Sequence, residues 1–217
     1  MTTGRWAQKK HPGRIWQAST VEDTEIGQDY RDAVLPDSRW EKRRFVRCDF
    51  TEADLRGLVT RGCTFDECDF TRTDIGESTH NASAFRSCVF RRTVLAEVSW
   101  TGCSLLGSSF VDCRLRSIKV RDTDFTLVSL GGADLRRVDL SGLRFREANL
   151  VEANLTGARL RDADLHGARL LGADLSGADL RGAKLDAHAL VQAKLAGARV
   201  DVDTAIAFAA AHGLIIS

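Results

Sequence analysis

The sequence predicts an all-β fold in which the backbone winds as a four-sided coil and stacks its coils into a rod, a β-helix. From Phe45 to Val200, 30 of the 32 residues spaced five apart are large and apolar, the exceptions being Thr60 and His80. Ala, Cys, Ser or Thr stands two residues before such a centre in 24 of the 32 cases. A helix needs a period of 3.6 and a strand a period of 2. The pattern therefore predicts a corner every five residues and four corners to a coil.

Glycine and proline mark the predicted corners. Twelve of the eighteen glycines stand two residues after a centre. This is the third position of a tight turn, and a type II turn requires a positive φ there. Pro36 directly follows Leu35, at the first central position, where proline is favoured. About eight coils of twenty residues, stacked at roughly 4.8 Å, predict a rod on the order of 38 Å long.

Centres that lie twenty residues apart share one face of the predicted coil, and nine of the ten phenylalanines fall on two adjacent faces. Face 1 carries Phe45, Phe65, Phe85, Phe125 and Phe145, and face 2 carries Phe50, Phe70, Phe90 and Phe110. Face 3 carries Leu55, Ile75 and Leu95, and face 4 carries Thr60, His80, Trp100 and Val120. On face 4 the small position holds Leu58, Val98 and Ile118. We expect distorted turns on that face in the N-terminal half.

The tandem motif is the most specific feature of the chain. Ala163-Asp164-Leu165-His166-Gly167 is followed by Ala173-Asp174-Leu175-Ser176-Gly177, and the register is uninterrupted over about three quarters of the sequence. This pattern resembles the pentapeptide-repeat family. The resemblance implies a right-handed quadrilateral β-helix. It also implies a function, because members linked to quinolone or albicidin resistance act on DNA gyrase as dimeric rods that resemble duplex DNA. The absence of inserted loops resembles the mycobacterial type.

The chain divides into three parts. Residues 1–32 are expected to be an N-terminal extension or cap, residues 33–202 the pentapeptide-repeat β-helix, and residues 203–217 a C-terminal helix and tail. Asp201 or Asp203 is the predicted N-cap of a helix over 204–212, which Gly213 ends. We expect this end to cap the last coil and to form a homodimer. The candidate residues are Ile206, Phe208, Leu214, Ile215 and Ile216. In the N-terminal part, Trp6 and Trp16 suggest either a segment that folds back over the first coils or a partly mobile arm.

Composition excludes several classes of function. Lys plus Arg total 31 and Asp plus Glu 30, so the formal charge of +1 argues against a protein that binds nucleic acid by neutralising phosphates. No run of 18 apolar residues predicts a membrane span, and no signal peptide is visible, so we expect a cytoplasmic protein. All six cysteines stand at small corner positions at spacings that are multiples of five, unlike zinc sites. We expect no catalytic, cofactor-binding or metal site and no enzyme activity.

Two surface features bear on how the protein works. Acidic and basic residues are intermixed on all four faces, which weakens the expectation of duplex mimicry. On face 2, one residue after each centre, an apolar column runs outward; it consists of Val111, Gly131, Val151, Leu171 and Val191. We name this column the apolar strip, and it is a candidate docking site for a protein partner or for the N-terminal arm. The alternative is that these are unrelated single exposures.

The sequence therefore predicts a non-enzymatic protein-interaction protein. The most concrete hypothesis is a modulator or protector of DNA gyrase, and a gyrase contact through a face that does not rely on charge remains open. The alternative is a structural scaffold or a regulatory binding module with an unrelated protein partner.

Overall fold

The chain forms a parallel β-solenoid that ends in two short helices. The computed structural model describes residues 24–115 and 117–215. Residues twenty apart face each other on adjacent coils, from Thr24 opposite Arg44 to Asp179 opposite Arg199. The predicted period is thereby confirmed.

Eleven three-residue strands and two helices are present in the described part of the chain. In chain order the strands are β1 (Thr24–Ile26), β2 (Arg39–Glu41), β3 (Arg44–Val46), β4 (Val59–Arg61), β5 (Thr64–Asp66), β6 (Thr79–Asn81), β7 (Ala84–Arg86), β8 (Val89–Arg91), β9 (Ser99–Thr101), β10 (Ser109–Val111) and β11 (Lys119–Arg121). The helices are α1 (Ala187–Val191) and α2 (Val202–Ala211).

The strands form one parallel sheet on each of three faces. Face 1 holds β1-β3-β5-β7, face 2 holds β8-β10, and face 4 holds the five-stranded sheet β2-β4-β6-β9-β11. After β11 the coils pair through isolated bridges. Face 4 carries the longest sheet, and the expected distorted turns are present in its N-terminal half, where no backbone hydrogen bond closes the turns after Thr60, His80 and Trp100. Large residues stand two positions before some centres of face 4, where small residues are usual, and extended backbone accommodates them. Leu58 and Val98 are two of these residues, and both are fully buried.

The corners have the backbone that the glycine pattern predicts. From Phe45 to Leu180 the residue two after each centre adopts a positive φ, as in Glu52 at 61° and Gly57 at 67°. At many corners the N–H three residues after the centre donates to the carbonyl of the centre, as from Ala53 to Phe50 at 3.0 Å. Glycine favours this left-handed conformation, but many corners hold other residues, which accept a cost of about 1–2 kcal/mol.

The interior is packed as stacked rows. Phe45 stacks on Phe65 with ring centroids 4.9 Å apart, and Phe65 stacks on Phe85 at 4.6 Å. On face 2, Phe50 and Phe70 stack at 5.0 Å. In the C-terminal half, leucine centres alternate with alanine corners, and all of these from Ala148 to Leu180 are buried. These rows confirm the predicted narrow core and account for the close packing of the rod.

The first coil begins earlier than the repeat predicts. Strand β1 pairs with β3, and Tyr30 stacks on Phe50 with ring centroids 4.8 Å apart. Residues 24–32, assigned above to the N-terminal extension, thus form part of the first coil. The start of the β-helix differs from the prediction because the centre in β1 is Glu25, and the prediction was based on apolar centres. Trp6 and Trp16 lie outside the described residues.

The C-terminal helix begins two residues before its predicted start. Asp201 is the N-cap of α2, but its carboxylate accepts a hydrogen bond from the N–H of Gly182 on the coil below and makes no bond to the helix. Gly213 ends the helix with a φ of 81°, as predicted. The N–H of Leu214 donates to the carbonyl of Ala209 at 3.1 Å, which gives the usual glycine-terminated helix end.

We predict that Leu127→Gly raises the free energy of unfolding by roughly 0.5–1 kcal/mol. Leu127 is 53% exposed and has a φ of 59°, so glycine removes backbone strain and little packing. Leu171 is the matched control because it is 55% exposed and is not among the residues with positive φ. Leu171→Gly should lower the free energy by roughly 0.5–1 kcal/mol. Urea denaturation measures both, and two changes of the same sign would contradict the interpretation of the corners.

Candidate interaction surface

The polar groups inside the rod are engaged in structural hydrogen bonds. His80 is buried on face 4, where its Nδ1 lies 2.9 Å from Thr60 Oγ1 and its Nε2 lies 2.9 Å from Ser78 Oγ. Ser83 Oγ lies 2.9 Å from Thr60 Oγ1 and extends the network. Burial lowers the pKa of His80 from 6.5 to about 3, because nothing in its surroundings compensates the charged form. The histidine is therefore a neutral core residue at physiological pH.

The six cysteines are free thiols that satisfy backbone carbonyls. At several corners with extended backbone, the carbonyl of the centre receives its hydrogen bond from a side chain one coil away. Cys88 Sγ donates to the carbonyl of Phe65 at 3.3 Å, and Cys103 Sγ donates to that of His80 at 3.3 Å. Burial raises the pKa of both thiols. Within the described residues, no three His, Cys, Asp or Glu side chains lie close enough together to hold a metal ion.

A charged cluster lies at the N-terminal end of the described coils. Glu25 points inward and accepts hydrogen bonds from Tyr30 Oη and from the guanidinium of Arg43. That guanidinium lies over the ring of Phe45, with its central carbon 4.8 Å from the ring centroid, and also over Trp40. An inward charge is a common way to keep an open sheet end from pairing with other chains. We name Glu25, Tyr30 and Arg43 the N-terminal lid.

The apolar strip is continuous only in part. Hydrogen bonds from Gly132 to the carbonyl of Val151 and from Glu152 to that of Leu171 hold Val151 and Leu171 in register. Leu171 is 55% exposed, whereas Val151 is half-buried. Val191 lies at the end of α1 and is 38% exposed. The helix shifts the register between these two coils by one residue, since the N–H of Gly172 donates to the carbonyl of residue 192.

The N-terminal member of the apolar strip is separated from the rest. Val111 is half-buried at the end of β10. The N–H of the next residue, Asp112, makes no bond to the carbonyl of Gly131, the strip residue on the next coil. The structure therefore brings Val151, Leu171 and Val191 near the C-terminal end and leaves Val111 apart from them.

The C-terminal end exposes a second apolar surface. Phe208 of α2 packs against the core and its ring centroid lies 4.2 Å from that of His212. Ile206, Leu214 and Ile215 are exposed, the last at 96%. Ile216 lies outside the described residues. We name Ile206, Leu214 and Ile215 the C-terminal patch; of the candidate residues for the cap, Phe208 is the one that contacts the coil stack.

Several acidic side chains on the faces are paired with arginines. Asp54 and Asp179, each one residue before a centre, bond to the arginine two residues later, with Arg56 Nη2 2.7 Å and Arg181 Nη2 2.6 Å from the carboxylates. Bonds from these arginines hold the pKa of both carboxyls below its usual range. Other pairs join neighbouring coils, such as Arg159 and Asp139 at 3.2 Å. Acidic and basic side chains are therefore interspersed on the faces, which do not present the uninterrupted rows of carboxylates that could stand in for phosphates.

The sequence matches the family described as pentapeptide repeats in eight copies, over residues 44–79, 88–126, 123–162, 148–186 and 158–199. The chain belongs to the pentapeptide-repeat family. It is 54% identical over 196 residues to the pentapeptide repeat protein MfpA of Mycobacterium tuberculosis (strain ATCC 25618 / H37Rv), which covers 88% of this chain and 93% of MfpA. This similarity confirms the resemblance drawn from the tandem motif.

Solved structures of QnrB1, a plasmid-mediated fluoroquinolone resistance protein, share the fold of this pentapeptide-repeat chain. A trypsin-treated form superimposes with a TM-score of 0.78 at 19% identity and covers 91% of this chain and all of its own. The full-length protein gives a TM-score of 0.76 at 19% identity and covers 89% of this chain and 98% of its own. At this identity the likeness establishes the solenoid fold alone. None of the helices in the described ranges is long and apolar enough to cross a membrane.

Sequence reasoning missed the N-terminal lid. The signal that could have revealed it is the register itself, because counting back by fives from Phe45 reaches Trp40, Leu35, Tyr30 and then Glu25. The lid was overlooked because a glutamate at a centre and an arginine at a small corner position both violate the apolar pattern. Their contact with each other makes these positions tolerable.

We predict that His80 makes stability depend on pH. The pKa of His80 is lower in the folded chain than in the unfolded one, so its contribution is intact above about pH 6.5 and is lost as the pH falls toward 3. Between pH 7 and pH 4 the wild type should lose about 3 kcal/mol of unfolding free energy more than His80→Leu does. Denaturant unfolding at each pH measures this. Parallel curves for the two proteins would contradict it, whatever the stability lost by the substitution itself.

Proposed function

We propose that this chain is a non-enzymatic, cytoplasmic protein that works by protein–protein contact, and that its partner is DNA gyrase, whose activity or quinolone sensitivity it modulates. The observation that carries the proposal is the loopless coil register, kept over most of a chain that is 54% identical to MfpA. The tandem motif resembles the gyrase-acting members of the family. QnrB1, which shares the fold, is a fluoroquinolone resistance protein, and this is consistent with the proposal.

The charge pattern determines which kind of contact is proposed. Duplex DNA carries one phosphate charge per about 1.7 Å of its axis. Here acidic and basic side chains are intermixed, and several carboxylates are paired with arginines, so the faces carry little net charge. We therefore propose that contact is made through apolar side chains, and that Leu171 and Val191 of the apolar strip are central to it.

The same observations favour one alternative. A rod with balanced charge and an apolar strip could equally serve as a scaffold or regulatory binding module for an unrelated protein. The gyrase assay below separates the two, because a scaffold of that kind leaves gyrase unaffected.

We predict that the purified protein changes gyrase supercoiling, or its inhibition by a quinolone, at micromolar concentration or below. The variant with Val151→Lys and Leu171→Lys should require about tenfold more protein for the same effect, since burying one leucine contributes about 1.5–3 kcal/mol. Leu127→Lys is the control, because Leu127 is equally exposed but lies off the strip. A flat titration of the wild type would favour the scaffold alternative, and equal potency of the strip variant would remove the strip from the contact.

We also propose that the chain is a homodimer joined through the C-terminal patch. The patch consists of exposed aliphatic side chains on and beyond α2, next to the exposed Val202. Apolar side chains clustered at one end of a rod, with no described residue covering them, are typical of an interface between subunits.

We predict that the full chain sediments as a dimer and that a chain cut after Asp203 sediments as a monomer. The cut also removes Phe208, which packs against the core, so Ile206→Glu provides a finer test that keeps the helix. It should weaken the dimer at least tenfold, because a buried unpaired carboxylate is costly. Analytical ultracentrifugation over a concentration series measures both, and an unchanged dimer in both variants would refute this interface.

A further inference from the structure

The two centres that depart from the apolar pattern lie opposite each other in the folded chain. Thr60 and His80 are twenty residues apart, and they are register partners in β4 and β6 on face 4. Both side chains are fully buried, and Thr60 Oγ1 lies 2.9 Å from His80 Nδ1. The two departures from the pattern therefore compensate each other across adjacent coils.

Two serines extend this pair into a chain of contacts. Ser78 Oγ lies 2.9 Å from His80 Nε2, and Ser83 Oγ lies 2.9 Å from Thr60 Oγ1. At the end of the chain, Ser83 Oγ lies 3.0 Å from the carbonyl oxygen of Asn81. The buried His80 ring is neutral at physiological pH and carries one proton. The three hydroxyl groups and the ring thus supply four protons for the four contacts.

The carbonyl at the end of this chain determines the direction of every hydrogen bond. A carbonyl only accepts, so Ser83 donates its proton to Asn81, and Thr60 must then donate to Ser83. Because the proton of Thr60 is used there, Thr60 accepts from His80 Nδ1–H, which leaves Nε2 to accept from Ser78. Any other arrangement leaves one contact without a proton and one buried polar hydrogen without an acceptor in the network.

We propose that Thr60 and His80, with the ring proton fixed on Nδ1, form a register lock that selects which coils stack on each other during folding. Apolar centres distinguish registers weakly where they are alike. From Leu130 to Leu195 every centre except Phe145 is leucine, so a shift of one five-residue unit mostly places leucine on leucine. A solenoid can begin to fold at any coil and spread to its neighbours, so one pair of coils in the native register serves as the template for the others.

A shifted register leaves the lock unsatisfied. A shift of one unit places His80 opposite Leu55 or Phe65, and neither side chain offers an acceptor to Nδ1–H. Ser78 moves together with His80 because the two belong to the same coil, so it is the bond to Thr60 that depends on the register. A buried N–H without an acceptor lowers the population of the shifted state by about tenfold to a hundredfold. A single buried polar residue fixes the register of coiled coils in the same way.

Nuclear magnetic resonance of the ¹⁵N-labelled wild type tests the position of the proton. We expect His80 Nδ1 to show the chemical shift and the directly bonded proton of a protonated ring nitrogen, and Nε2 to show the shift of an unprotonated one. The spectrum of His80→Leu identifies the two signals, because they are absent from it. A proton on Nε2, or rapid exchange of the proton between the two nitrogens, would overturn the proposal, which requires Nδ1–H to depend on Thr60.

A double-mutant cycle tests the dependence of His80 on Thr60. Thr60→Val removes the acceptor of Nδ1–H and should raise the equilibrium constant of unfolding at least about tenfold. In His80→Leu, which has no ring N–H to satisfy, the same change should raise it less than about threefold. Thr73→Val is the matched control, because Thr73 is equally buried but donates to the carbonyl of Phe50 at 2.7 Å, outside the network. The control should have the same effect in both proteins, and an equal effect of Thr60→Val in both would contradict the proposal.

Refolding from denaturant tests the selection of the register itself. The variant with Thr60→Val and His80→Leu keeps apolar centres on face 4 but has no lock. Interrupted refolding counts native molecules, since these unfold at the native rate, and in this variant at least about threefold more molecules should reach the native state through a slow phase. Leu55→Val with Ile75→Val is the matched control, because these two buried centres are also twenty residues apart and carry no polar pair. A slow phase that is unchanged in the lock variant, or that grows equally in the control, would refute the lock.

Discussion

The geometry of the corner is the constraint on which the rest of this structure depends. One residue in five adopts a left-handed backbone conformation, and a small side chain follows it at the next inner position. Both features keep the coil narrow enough for a single large side chain to fill each face. Because every coil has the same length, each N–H finds a carbonyl on the neighbouring coil, and backbone bonding follows without long strands.

Polar side chains stand at positions where the coil-to-coil pattern leaves backbone carbonyls without a hydrogen-bond donor. Thiols and hydroxyls inside the rod donate to carbonyls of centres, as Cys88 does to Phe65 and Thr93 to Phe70. The two ends use charges for the same purpose. Glu25 closes the first coil together with Arg43, and Asp201 binds a corner N–H of the last coils. The cysteines thus serve as hydrogen-bond donors that fit the small position, which explains their spacing without any redox or metal chemistry.

The surface that results is rigid, nearly neutral and mostly polar. Arginine–aspartate pairs, some within one coil and some between coils, place opposite charges next to each other. Against that background the exposed Leu171 and the C-terminal patch are the features that a protein partner could distinguish. The proposed gyrase contact and the proposed dimer use different surfaces of one scaffold.

The sequence by itself determined the period, the four faces, the phenylalanine rows and the glycine-terminated helix at the C-terminus. These follow from local rules, since each five-residue unit carries its own corner and its own inward side chains. Only the tertiary structure decided that Glu25 belongs to the first coil, that α1 interrupts the last one, and that Val111 is separated from the rest of the strip. Each of these depends on what lies on the neighbouring coil, twenty residues away, where contact and crowding decide the outcome and no local pattern records it.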